Sequence, residues 1–158
     1  MNIFKGDREA VNNRQRAVRT ARGQLETFLR RVKNELGLEE AGLTVRLVSD
    51  AEISRMNETF RKKKGPTDVL SFPMVARRRP VRLRRGSRTV RAGEYLGDIA
   101  ISPATAKRYA KKNGRKLSSE LQVLILHGVL HLLGYDHEID RGKMDRIEQK
   151  LRKRLGLA

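Results

Sequence analysis

Three shortages in this sequence narrow what the protein can do. Cysteine is absent, which excludes disulfides, thiolate nucleophiles and Cys-based zinc sites, so that any metal ligands must be His, Asp or Glu. No run of about 18 apolar residues is present, and the first residues, MNIFKGDREAVNN, lack the apolar core of a signal peptide. We therefore expect a cytoplasmic protein without membrane contact.

Acidic residues are outnumbered two to one, with 18 Asp and Glu against 36 Lys and Arg. The formal net charge is +18 and the isoelectric point is near 11.2, so the electrostatic field of the protein attracts polyanions. Only 4% of the residues are aromatic. That composition favours phosphate contacts over base stacking in a nucleic-acid complex.

The positive charge is concentrated in one segment, residues 77–91, which has no acidic residue. Pro80 and Gly86 predict a loop there rather than a helix or strand. The segment is either a solvated, mobile loop or a nucleic-acid-binding arm, and its charge is compatible with both. Its eight arginines are Arg77, Arg78, Arg79, Arg82, Arg84, Arg85, Arg88 and Arg91.

The length of 158 residues fits one domain, residues 1–158, and one active site. Hydrophobic periodicity predicts strands and helices alternating around one sheet. Ser49 or Asp50 can cap the second helix, and Pro103 suits the first turn of the third. The expected strands are residues 9–13, 43–47, 69–72 and 95–101, and the expected helices are 18–36, 50–60 and one from 103.

Two more helices are expected near the C-terminus. One has Ser119 and Gln122 at capping-box spacing and is apolar nearly all round, which predicts a central, buried helix ended by Gly134 in a left-handed turn. The last, roughly residues 140–155, has one apolar face. We expect that helix to pack as an outer cover.

All three histidines lie within eleven residues, HGVLHLLGYDH, from His127 to His137. His127 and His131 are four residues apart, so on a helix they lie on one face, about 6 Å apart along its axis. After Gly134 the chain can turn back and bring His137 to the same point. Three imidazoles with an open fourth position are typical of a catalytic zinc site.

The alternative is that His127 and His131 are core histidines satisfied by hydrogen bonds. Left without partners, each would cost about 1–3 kcal/mol, and a metal ion supplies a partner to both. Position 128 is Gly, where the HExxH motif of zinc peptidases has its general base. A zinc peptidase is therefore an alternative that the pattern disfavours.

The motif HGVLHLLGYDH resembles the HGxLHLxGYDH signature of the YbeY-type endoribonucleases, the bacterial ribosomal RNA maturation factors. Residues 57–73, NETFRKKKGPTDVLSFP, are similar to the NxxFRxKDxPTDVLSFP block of that family, and residues 96–102, LGDIAIS, match its LGDIxIS strand. The three blocks occur in the same order. One departure is Lys64, where the family usually has Asp.

The resemblance implies a zincin-like α+β fold, a single domain with a small mixed sheet and a central helix that carries metal ligands. It implies that His127, His131 and His137 bind one zinc ion, with nickel or copper possible in a purified sample. It also implies single-strand-specific RNA cleavage in ribosomal RNA maturation, at the 3′ end of the small-subunit RNA, and in ribosome quality control. Partners so implied are ribosomal RNA, the small subunit, ribosomal proteins and an assembly GTPase.

The same resemblance marks Arg61 as needed for function, whereas the run of residues 61–64 alone indicates a solvated basic turn. We expect Arg61 to bind phosphate oxygens in bidentate fashion. The residues expected to guide RNA are Lys62, Lys63, Lys64, Arg77, Arg78, Arg79, Arg82, Arg84 and Arg85.

The general base is unassigned among Asp98, Asp136 and Glu138. Asp98 could instead orient a histidine, and Asp136 could stabilise a turn. A third possible function, beside nuclease and peptidase, is a ribosome-assembly factor whose metal is mainly structural.

Overall fold

The computed structural model describes residues 10–84 and 86–157, and all statements about structure concern those residues. The elements in chain order are β1 (Val11–Asn13), α1 (Arg22–Leu36), β2 (Gly42–Leu47), α2 (Asp50–Arg61), β3 (Val69–Pro73), β4 (Tyr95–Ile101), α3 (Pro103–Lys112), α4 (Leu117–Leu132) and α5 (Lys143–Arg154).

The four strands form one mixed sheet in the order β1-β2-β4-β3. Strand β2 runs parallel to both β1 and β4, whereas β3 pairs antiparallel with β4. The predicted α+β class with a small mixed sheet is therefore confirmed. Strand β3 lies at the sheet edge, and its residue Phe72 is opposite Asp98 of β4.

Helix α4 packs on this sheet and is buried along most of its length, as its apolar sequence predicts. Gly128 explains how closely it packs, because a Cβ atom at that position would lie 2.8 Å from Ile99 Cγ2 of β4. Position 128 therefore points into the sheet. A glutamate there could not serve as the base of an HExxH site without displacing the helix, which disfavours the peptidase alternative further.

Local signals located most element boundaries. Strand β4 has the predicted bounds, Ser49 accepts the Glu52 N–H as the cap of α2, and Pro103 lies in the first turn of α3. The predicted strand at residues 9–13 is observed as Val11–Asn13, while residue 9 lies outside the described residues.

Two predicted helix starts are wrong. Helix α4 begins at Leu117 after Lys116, which makes no side-chain cap, so Ser119 and Gln122 lie inside the helix rather than at its end. Helix α1 begins at Arg22, and Val18 precedes it. The side chain of Gln15 both donates to the Val18 carbonyl and accepts its N–H, which holds this stretch as a loop.

The arginine-rich segment has neither helix nor strand in its described part, but it is anchored rather than freely solvated. The Val81 N–H donates to the Leu133 carbonyl at 2.8 Å, and the Tyr135 hydroxyl donates to the Val81 carbonyl at 2.8 Å. Leu83 and Val90 pack against the core. The segment therefore covers the end of α4 and the turn that follows it.

None of the helices in the described ranges is long and apolar enough to cross a bilayer.

Candidate metal centre and its cleft

The three histidines converge in space as predicted. His127 and His131 lie one turn apart on α4 with their Nε2 atoms 3.0 Å apart, and His137 approaches from the loop after the helix. One ring nitrogen from each lies within 4.8 Å of the others. The ring centroid of His137 is 5.4 Å from that of each partner. This group could hold a metal ion.

Gly134 allows the chain to turn back after α4. Its backbone φ of +95° is an angle that residues other than glycine rarely adopt. A Cβ atom there would also lie 3.1 Å from the Cα of Pro80 in the arginine-rich segment. The turn closes when the Tyr135 N–H donates to the Leu130 carbonyl at 3.1 Å. His137 reaches the centre because of this turn.

Glu148 of α5 orients one of the three rings. The residue is only 6% exposed, and its Oε1 lies 3.0 Å from Nδ1 of His127. A carboxylate accepts the Nδ1 hydrogen, so the Nε2 lone pair of His127 faces the other histidines, as a ligand requires. Burial alone would raise the pKa of Glu148, but the hydrogen bond from His127, together with the positive charge of Arg152, outweighs burial and lowers that pKa.

The environment of His131 favours its neutral form. Burial lowers the pKa of His131 first, and charges on His127 and His137 lower it further, while a backbone hydrogen bond with Tyr135 opposes them. Neutral imidazole is the form that binds metal.

The donor set fits one divalent transition metal ion. Three imidazoles suit zinc, copper or nickel. Two nitrogens bound to one tetrahedral zinc at about 2.0–2.1 Å would lie roughly 3.3 Å apart, close to the 3.0 Å separation of the Nε2 atoms. No fourth protein ligand belongs to the group within the described ranges, so the arrangement matches a catalytic site better than a closed structural one.

The histidines line an open cleft of about 700 Å³ between the end of α2, strand β3 and the loop after α4. Arg61, in the last turn of α2, lines the same cleft. Its Nη2 lies 3.7 Å from Oε1 of Glu138, and the two side chains are 44% and 62% exposed. The structure thus brings together Arg61 and the three histidines that the sequence singled out.

The other basic candidates are distributed differently. Lys62, Lys63 and Lys64 are exposed and lie outside the lining of the cleft. Arg77 lines the cleft, but its guanidinium is paired with Glu94 at 2.7 Å. Exposed residues Arg79, Arg82 and Arg84 line a separate groove beside α5. Arg78 is exposed, and Arg85 lies outside the described residues.

The three acidic candidates for the general base differ in whether they lie at the cleft. Asp98 accepts a hydrogen bond from the Tyr95 hydroxyl and pairs with Arg46 at 3.7 Å, and Glu148, not Asp98, contacts a histidine. Asp136 lines the cleft and accepts the Glu138 N–H at 3.0 Å, which stabilises the turn. Among these three, only Asp136 and Glu138 are at the cleft.

Sequence reasoning missed Glu148, although a signal was present. Met144 and Leu151 form the buried face of α5, and Glu148 lies between them at helical spacing. A carboxylate within an apolar stripe needs a buried partner. That rule predicts a partner without identifying His127.

Comparisons with known proteins identify the family to which this chain is similar. A family model described as Endoribonuclease YbeY matches residues 9–156. A protein of that name from Solibacter usitatus is 41% identical over 136 residues, covering 86% of this chain and 80% of the relative. One from Aquifex aeolicus is 39% identical over 132 residues, covering 84% and 79%.

A solved structure supports the fold alone. The solution structure of a Thermotoga maritima protein matches with a TM-score of 0.60 and 24% identity, and the match covers 92% of this chain and 88% of that one.

Proposed function

The chain belongs to the Endoribonuclease YbeY family, and from this premise we propose that it is a metal-dependent endoribonuclease that cleaves single-stranded RNA. The observation that carries the proposal is one open cleft that contains both the three-histidine group and Arg61. A metal site beside a cation that can bind phosphate is suited to the cleavage of a phosphodiester, because both groups stabilise the negative charge that develops.

His127, His131 and His137 are the residues that would hold the ion, and we assign zinc to the site. A divalent ion held there would lower the pKa of a water molecule and neutralise charge on a phosphoryl oxygen. Glu148 keeps the Nδ1 hydrogen on His127, which leaves Nε2 free to bind the ion. His137 is exposed, so the substrate side of the group is open to the cleft.

Arg61 is the residue that binds the phosphate. Its planar guanidinium can donate two parallel hydrogen bonds to nonbridging oxygens and stabilise the charge that builds up during displacement. Its present partner, Glu138, is 3.7 Å away and largely exposed. An exposed pair of this kind contributes little stability, so a phosphate can replace Glu138 at modest cost.

The positive field of the protein brings the RNA to this cleft. The net charge is +18, and the exposed cations include Lys62, Lys63 and Lys64 immediately after Arg61. Arg78, Arg79, Arg82 and Arg84 extend the basic surface along the arginine-rich segment. These residues contact flanking phosphates and confer no base preference.

The substrate that we propose is ribosomal RNA, matured at the 3′ end of the small-subunit RNA and monitored during ribosome quality control in the cytoplasm. The small ribosomal subunit is then the partner, together with ribosomal proteins or an assembly GTPase. The support for this role is membership of the family and the affinity of a strongly basic protein for RNA.

The test uses one RNA sequence in two forms, an unpaired strand and the same strand annealed to its complement. We expect the purified protein to cleave the unpaired form, to lose that activity with a chelator and to regain it with zinc. Casein serves as the control substrate. Chelator-sensitive cleavage of casein without cleavage of RNA would reject the nuclease in favour of a peptidase.

A further inference from the structure

Phe60 is the most exposed aromatic residue in the described part of the chain, at 66% of its surface. It occupies the last turn of α2, directly before Arg61. The other strongly exposed aromatic side chain is that of Tyr109 on α3, at 44%, which lies outside the lining of the cleft. Phe60 lines the cleft that contains Arg61 and the three histidines, so its exposed phenyl ring is available to a ligand bound there.

The ring of Phe60 packs against a second aromatic ring. Its centroid lies 5.1 Å from that of Phe72 on β3, with the ring planes at 71°, the edge-on geometry that aromatic pairs prefer. Since two thirds of the residue remains exposed, a ring face is open for a flat ligand. Both rings line the cleft that contains the histidines.

The cleft therefore contains the two kinds of group that a nucleotide needs. Arg61 can bind a phosphate, and the preceding residue, Phe60, offers a flat apolar face to a base. Aromatic side chains bind single-stranded nucleic acid by stacking on bases of any sequence. In a duplex both faces of each base are covered by neighbouring base pairs, so such a face selects unpaired nucleotides.

We propose that Phe60, held by Phe72, is a base-stacking platform beside the cut phosphate and determines the preference of the enzyme for unpaired RNA. This inference rests on the proposed endoribonuclease function and adds a determinant of specificity to it. It also refines the expectation drawn from the low aromatic content. Phosphate contacts supply most of the attraction, and one aromatic residue at the cleft supplies the selection for an unpaired strand.

Phe60→Leu tests the platform because leucine retains an apolar surface but removes the flat ring. Affinity for a short unpaired RNA, measured with a chelator present so that no cutting occurs, should fall roughly 5- to 150-fold, the range for one lost stacking contact. The slope of affinity against salt should stay unchanged, since no phosphate contact is lost. Phe60→Trp should bind at least as well as the wild type.

A fluorescent base locates the contact. With 2-aminopurine placed in turn at each position of that RNA, stacking on Phe60 should change the fluorescence of one position in the wild type, quench that position in Phe60→Trp, and leave it unaffected in Phe60→Leu. The matched control is Tyr109→Leu, which removes an exposed aromatic ring away from the cleft. This variant should leave the affinity for RNA and the fluorescence of the labelled RNA the same as with the wild type.

In the metal-loaded enzyme, Phe60→Leu should reduce the ratio of cleavage rates on unpaired and annealed RNA, whereas Tyr109→Leu should not. The inference is overturned if Phe60→Leu binds and discriminates like the wild type. It is also overturned if Phe60→Leu is harmless while Phe60→Ser is not, because an apolar docking surface for a protein would behave in that way. If the wild type cleaves no RNA, the proposed function fails, while the binding measurements still decide the role of Phe60.

Discussion

Glu148 and His127 are joined by a hydrogen bond across 21 residues of sequence, with Oε1 of the carboxylate 3.0 Å from Nδ1 of the ring. Helix α5 is therefore more than an outer cover of the core. It supplies the buried group that sets which nitrogen of His127 faces His131 and His137.

Glu148→Ala should weaken zinc binding by about 10- to 100-fold, the usual effect of removing the partner of a ligating histidine. Glu148→Gln should weaken zinc binding less than Glu148→Ala, because the amide oxygen of glutamine can still accept the Nδ1 hydrogen of His127. Competition with a chromophoric chelator measures both affinities.

Arg152→Gln is the matched control for that series. Arg152 also bonds to the carboxylate of Glu148, at 3.4 Å, but does not touch the histidine. Its replacement should change zinc affinity little. Wild-type affinity in a folded Glu148→Ala protein would show that Glu148 does not position the ligand.

Arg61→Ala should leave folding and metal content intact and reduce RNA cleavage by roughly 10²-fold or more, the effect of losing an electrostatic group at developing charge. Arg61→Lys should restore little of the cleavage rate, because an ammonium group cannot donate the two parallel hydrogen bonds of the planar guanidinium. Single-turnover cleavage rates measure the effect.

Arg55→Ala, an exposed position on the same helix and outside the cleft lining, is the control and should retain the wild-type rate. If Arg61→Ala cleaves RNA normally while His127→Ala does not, Arg61 is only part of a basic turn.

The arginine-rich segment should steepen the dependence of RNA binding on salt. Each phosphate contacted on a single strand contributes about −0.7 to the log–log slope. Deleting residues 77–91 is a poor test, because Val81 and Leu83 are packed on the rest of the protein. Replacing Arg78, Arg79, Arg82 and Arg84 by Gln should flatten the slope while the fold is retained.

The matched control removes four exposed charges elsewhere, by replacing Lys107, Lys111, Lys112 and Lys116 with Gln. It should change the slope less. Equal changes in the two quadruple variants would mean that only net charge matters, and an unchanged slope in the arginine variant would mean that the segment does not contact RNA.

Asp50 should make stability depend on pH in the acid range. Its carboxylate accepts hydrogen bonds from Ser102 at 2.6 Å, Thr105 at 2.7 Å and Arg108 at 2.9 Å. Burial alone would raise the pKa of Asp50, but these bonds outweigh it and lower the pKa. With a folded-state pKa below the unfolded value of about 3.9, the stabilisation is complete above that value and is lost as pH falls through the folded pKa.

Asp50→Asn should therefore lower the urea midpoint at pH 7, and the difference from the wild type should shrink below about pH 4. Asp145→Asn, at an exposed position in the first turn of α5, is the control. A difference that stays constant from pH 7 to pH 3 would contradict the assignment.

The parts of this protein that could be predicted from sequence are those with local causes. Alternation predicts strand β4, a proline predicts the start of α3, and the four-residue spacing of His127 and His131 predicts that these two rings converge. Gly134 predicts the turn after α4, because a positive φ is a property of the residue itself and glycine adopts it most readily. The resemblance added Arg61, which composition alone placed in a solvated turn.

The remaining features depend on contacts between distant residues, which periodicity does not contain. The bond from His127 to Glu148 joins two helices, and Val81 binds to Leu133 and Tyr135 more than fifty residues away. The start of α4 was misplaced because Ser119 and Gln122 have capping-box spacing but lie within the first turns of a longer helix. The contact between Phe60 and Phe72 likewise joins two separate elements, α2 and β3.

Metal content and RNA cleavage, measured together on the wild type and on His131→Ala, test the central claim most directly. We predict about one transition metal ion per wild-type chain, none in His131→Ala, and cleavage of unpaired RNA that disappears on chelation and returns with zinc. Full metal stoichiometry in His131→Ala, or undiminished cleavage after the metal has been removed, would contradict the assignment of these histidines as a catalytic metal site.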